Sequence, residues 1–183
     1  AKEYFANIND NVFDKPNVKL HIADGRNFLA LNPQGRLYDL ISIELTSIWF
    51  AGAGNLYNDE FYKIVRNNLQ TNGIIQQWVQ LHHITTKDIA VILKTLRKHF
   101  KYVQLWIPGH QGIVIASNTP LQPSRRALEI AIKRSRPDSF ILNEPLTIFG
   151  ELMLDSTGID NFIAAEEKQE DIPLSTDMNL YLE

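Results

Sequence analysis

Residues 38–81, YDLISIELTSIWFAGAGNLYNDEFYKIVRNNLQTNGIIQQWVQL, decide the fold. Tyr38–Glu44 opens as a mostly apolar run with little alternation, the pattern of a strand buried on both faces. Asp59–Leu69 then sets Phe61, Ile64, Val65 and Leu69 at helical spacing, with Asn72-Gly73 read as the helix stop. Ile74–Leu81 is β-rich again. Strand, helix and strand in that order make a crossover unit, which is the building block of a parallel sheet.

The pattern extends in both directions. Upstream, Val18–Ala23 (VKLHIA) reads as another buried strand, stopped by Asp24-Gly25. Downstream, Thr86–Phe100 carries Ile89, Ile92, Leu93, Leu96 and Phe100 on one helical stripe. Two short β runs follow, Tyr102–Ile107 and Gly112–Ser117, and the four residues between them allow only a hairpin. The expectation is a doubly wound α/β sheet over residues 1–118 that ends antiparallel. Beyond it, Ser124–Arg134 and Leu146–Leu154 read as helical and residues 155–183 as mostly polar, so 119–183 is expected to be a helical and irregular extension.

Composition narrows the functional classes. With 44% hydrophobic residues in 183, the chain can bury a core of its own. A net charge of −3 without long single-sign runs argues against a nucleic-acid surface or a polybasic membrane anchor. The absence of cysteine removes disulfides, thiolate zinc sites and a Cys nucleophile, and favours an intracellular compartment. No apolar run approaches the ~20 residues of a spanning helix. The chain opens AKEYFANIND, without an initiator Met and as if at the end of a helix, and is expected to be a fragment.

In a doubly wound sheet, ligands lie beyond the carboxyl ends of the parallel strands. The expected strand ends are Asp24-Gly25-Arg26, Glu44-Leu45-Thr46-Ser47 and Gln76-Gln77-Trp78, which would bring the carboxylates of Asp24 and Glu44 to one hollow with several amides. Such carboxylates can accept from a nucleoside, attract a cationic amine or take its proton. Asp24-Gly25 reads equally as a ligand contact and as a strand-ending turn. Gly52-Ala53-Gly54 is better read as a flexible loop than as a phosphate cradle. His82-His83 would point to opposite faces, so a shared metal is not expected, and Trp49, Phe50 and Tyr57 read as core.

Three segments together carry a family resemblance: NVKLHIADGRNFL at 17–29, YDLISIELTS at 38–47 and LYNDEFYKIVRNNLQTNGIIQQW at 56–78. In order and spacing they resemble the second half of the spermidine synthases, or polyamine aminopropyltransferases. TDMNLYLE at 176–183 and the QW-x-QL string resemble a branch fused to membrane helices. The resemblance implies a Rossmann-like sheet of the class I S-adenosylmethionine methyltransferase type, with the N-terminal part of the fold missing from this chain. It also implies transfer of an aminopropyl group from decarboxylated S-adenosylmethionine to putrescine or another small amine, the nucleoside being a co-substrate rather than a tightly bound cofactor. In that reading Asp24 and Gly25 contact the nucleoside and Glu44, where the family has Asp, is the base. Ser47, where the family has a second acid, and Gln77 line the amine site.

The same crevice would serve a methyltransferase using S-adenosylmethionine, or a non-catalytic domain that binds nucleoside or polyamine. The resemblance further implies the remainder of a longer chain or a second copy as partner, no nucleic acid, and a cytoplasmic-face location, with membrane helices outside this segment.

Overall fold

The computed structural model describes residues 4–32, 35–45, 52–122, 124–134, 147–179 and 181–182. Its five-stranded sheet consists of β1 (Tyr38–Ile43), β2 (Leu69–Val79), β3 (Tyr102–Trp106), β4 (Gly112–Ser117) and β5 (Leu152–Leu154), in the order β1-β2-β4-β3-β5. β1 and β2 pair in parallel, and every other pairing is antiparallel. The helices are α1 (Ala6–Asn9), α2 (Gly25–Leu31), α3 (Asp59–Asn68), α4 (Thr86–His99), α5 (Arg125–Arg134) and α6 (Ser156–Glu166).

The elements follow from local chemistry. α4 starts with a reciprocal cap: the Thr85 hydroxyl oxygen accepts from the Asp88 N–H at 3.1 Å, and the Asp88 carboxylate accepts from the Thr85 N–H at 3.0 Å. Its apolar stripe buries Ile92, Leu93 and Leu96. α3 is capped by Asn58 and buries Phe61, Tyr62 and Val65. Both helices cover the sheet face formed by Ile75, Gln77 and Val79 of β2, Val114 and Ala116 of β4, and Val103 and Leu105 of β3. Each fully buried aliphatic side chain there contributes about 1.5–3 kcal/mol.

Three expectations are corrected. Residues 18–22 form no regular secondary structure and join no strand, and Ile22 is 96% exposed. A β-rich run becomes a strand only where a neighbour offers a hydrogen-bonding edge, so β1 and β2 are the only parallel pair among the described residues. α3 stops at Asn68, ahead of Asn72-Gly73, because Leu69 is already buried in β2. The run to Leu154 is a 3₁₀ turn (Thr147–Glu151) and then β5, rather than an α-helix. The extension after residue 118 carries helices and irregular segments, and its β5 pairs with β3 while Ile159 and Ile163 of α6 and Leu182 enter the main core.

Among the described residues no helix is long and apolar enough to cross a membrane.

Candidate active site

The carboxyl end of β1 is where the chemistry gathers. The parallel register sets Ser42 beside Gln76, and period-two alternation puts Ser42, Glu44 and Gln76 on one face. The Gln76 amide N–H donates to Glu44 Oε1 at 2.9 Å, and the Ser42 hydroxyl donates to Gln76 Oε1. Serine therefore orients the amide, and the amide holds the carboxylate.

Facing β1 across a cavity of about 490 Å³ is the first turn of α2, contributed by Gly25 and Arg26. Glu44 and Arg26 are the charged residues among the described lining. The remaining wall is largely apolar, with Phe28, Leu29, Leu56 and Phe61 prominent. Below it, Tyr57 is fully buried and its hydroxyl donates to the Trp78 carbonyl at 2.8 Å. Burial pushes the Tyr57 phenol far up, the Gln77 side chain pulls it back slightly, and the nearby Glu44 charge pushes it up again. It remains a neutral donor.

The expected site residues divide. Glu44 and Gly25 share the cavity. Asp24 does not line it: its Oδ1 accepts from the Asn27 N–H at 2.7 Å as the N-cap of α2, so the common hollow expected for the two carboxylates contains only that of Glu44. Gln77 is corrected too, because alternation turns it onto the helix-covered face. It is fully buried, accepts from the Tyr62 hydroxyl at 2.9 Å and donates to the Leu56 carbonyl at 2.8 Å, so it braces the cavity wall from behind. Ser47, Trp49 and Phe50 lie outside the described residues.

The sequence reading placed Arg26 and Gln76 at strand ends without giving either a role, and missed Ser42 and Asp177. Strict alternation from Glu44 would have selected Ser42, and the register adds Gln76. Nothing local points to Asp177, which meets Arg26 across 151 residues of sequence. His82 and His83 are exposed and meet edge-on with ring centres 5.5 Å apart. Among the described residues no cluster of His, Asp or Glu is arranged to hold a metal ion.

The profile of the spermine/spermidine synthase domain matches residues 1–117, well over half of the chain. The chain belongs to the spermine/spermidine synthase family. Polyamine aminopropyltransferase 2 of Pseudomonas aeruginosa is 30% identical over 105 residues, which is 56% of this chain and 30% of that protein. A spermidine synthase in complex with the transition state analogue AdoDATO superposes with a TM-score of 0.63 at 13% identity, over 89% of this chain and 54% of that one. Human methyltransferase-like protein 13 in complex with SAH gives a TM-score of 0.50 at 21% identity, over 69% of this chain and 65% of that one. At such identities the likeness concerns the fold, a Rossmann-like sheet of the class I methyltransferase type. This spermidine synthase-family chain spans 30 to 54% of the length of the first curated relatives it matches.

Proposed function

We propose that this chain is the base-bearing part of an aminopropyltransferase that uses decarboxylated S-adenosylmethionine and putrescine or another small amine. The observation that carries the reading is the Glu44 carboxylate, held by Gln76 at the strand end, in one largely apolar cavity with Gly25. An ammonium has no lone pair, so Glu44 holds the amine and takes one of its protons. The freed pair forms the N–C bond to the methylene beside the sulfonium. The C–S bond breaks with its electrons left on sulfur, which departs as a neutral thioether. Gly25, lacking a side chain, lets the nucleoside ring approach the start of α2, with Asp24 at the helix cap beside it. Ser47 belongs to the same proposal as a neutral contact to the amine.

Turnover of decarboxylated S-adenosylmethionine with putrescine by the intact protein is the test. Glu44→Gln is expected to lower kcat by about 10²–10⁴-fold, the usual worth of a general base, while nucleoside affinity stays the same. Wild-type turnover by that variant removes Glu44 from the mechanism. Methyl transfer from S-adenosylmethionine, or ligand binding without product, would replace the reaction class.

A further inference from the structure

Arg26 is the one cation among the described residues that line the cavity, and it is already engaged. Its Nη1 donates to Asp177 Oδ1 at 2.8 Å and its Nη2 to Asp177 Oδ2 at 2.5 Å, a bidentate pair, while Nη1 also donates to the Asn55 carbonyl at 3.0 Å. The guanidinium side chain is 19% exposed.

Asp177 is itself anchored. Its Oδ1 accepts from Asn58 Nδ2 at 2.5 Å, and its backbone N–H donates to Glu60 Oε2 at 2.9 Å. Two residues earlier, the Ser175 carbonyl accepts from the Asp59 N–H at 2.9 Å and the Ser175 N–H donates to the Thr95 hydroxyl oxygen at 3.1 Å. The carboxyl-terminal strap is thus bonded to α3 and α4 at the point where it reaches Arg26. Each partner keeps the other ionised, since Asp177 raises the Arg26 pKa and the hydrogen bonds from Arg26 lower that of Asp177.

We propose that Asp177 is a positioning residue for ligand choice: by occupying both terminal guanidinium nitrogens of Arg26, Nη1 and Nη2, it denies the cavity a bidentate anchor for a ligand carboxylate. The inference rests on the aminopropyltransferase reading for the identity of the ligand. Decarboxylated and ordinary S-adenosylmethionine differ by one carboxylate. A cavity that presents Glu44 and an Arg26 whose terminal nitrogens are taken by Asp177 repels that carboxylate and offers it no free Nη pair, whereas an unclasped arginine would bind it bidentately.

Two measurements on the intact protein test this, with thermal unfolding confirming that the variants fold. The first uses no nucleoside: propionate is titrated while the Arg26 Nε–H resonance is followed. Propionate is expected to shift that resonance in Asp177→Asn and not in the wild type; equal behaviour of the two overturns the proposal. The second compares dissociation constants for the two sulfonium nucleosides. Asp177→Asn is expected to move the ratio about tenfold toward S-adenosylmethionine, because one charge-assisted hydrogen bond is worth roughly that much, and adding Arg26→Gln is expected to cancel the change. A ratio unmoved in Asp177→Asn overturns the proposal. Should the wild type bind neither nucleoside, the aminopropyltransferase reading falls, and the propionate titration alone decides whether Asp177 keeps Arg26 from carboxylates.

Discussion

At Gly73 a side chain has no room: a Cβ would stand 2.9 Å from the Tyr38 carbonyl oxygen and 2.9 Å from the Leu69 Cβ. The crowding arises where the β1–β2 register slips between Tyr38 and Leu40. Gly73→Ala is therefore expected to cost about 1–3 kcal/mol, read as a lower urea midpoint. At Tyr57 the loss is of a different kind. Tyr57→Phe leaves the Trp78 carbonyl without its buried donor and should cost about 1–3 kcal/mol in the same assay. The sequence reading took Gly73 as part of a helix stop and Tyr57 as core, and neither the glycine requirement nor the hydroxyl's role was visible in it. Asn72-Gly73 carries a turn signature, yet what demands glycine is a carbonyl brought near by another strand. Glu44 was legible as a strand-end acid, while Gln77 was expected in the amine site, because only the inter-strand register decides that Gln76 faces Glu44 and Gln77 faces the helices.

Helices were the most readable elements, since their apolar stripes are local. The Thr85–Asp88 capping box is visible in sequence, and Thr85→Ala should cost about 1 kcal/mol, measurable by thermal unfolding. Strands were less readable. The run Val18–Ala23 has the same β-rich character as β1, but Leu20 and Ile22 are exposed and no strand pairs with them among the described residues. β5, three residues long, carried no periodic signal and exists because β3 offers it an edge. The same dependence moved Asp24 from an expected strand end to a helix cap.

At the scale of the molecule, the C-terminal third holds the rest together. α6 packs against α4 and β3, with Ile159 fully buried. Ile159→Ala should cost about 2–5 kcal/mol in urea unfolding. Long-range ion pairs add a pH dependence whose sign is set by two acids. Burial alone would raise the Asp59 pKa, but Lys98 at 2.8 Å and His99 at 2.6 Å outweigh it and lower it; Asp177 is lowered by Arg26. Carboxyls with depressed folded-state pKa values contribute their full stability above the ordinary carboxylate range and lose it as pH falls through the lowered value. Asp59→Asn should therefore be less stable than the wild type at pH 7, with the gap closing as the pH drops below about 4, as followed by circular dichroism.

The sequence by itself determined the α/β class, the positions of α3 and α4, the β3–β4 hairpin and the acid at position 44, because periodicity, caps and short loops act over a few neighbouring residues. The tertiary structure decided which β-rich runs become strands, which glutamine meets Glu44, and that Asp177 closes on Arg26. Those outcomes depend on edges, registers and charges supplied by residues far along the chain, and no local pattern encodes them.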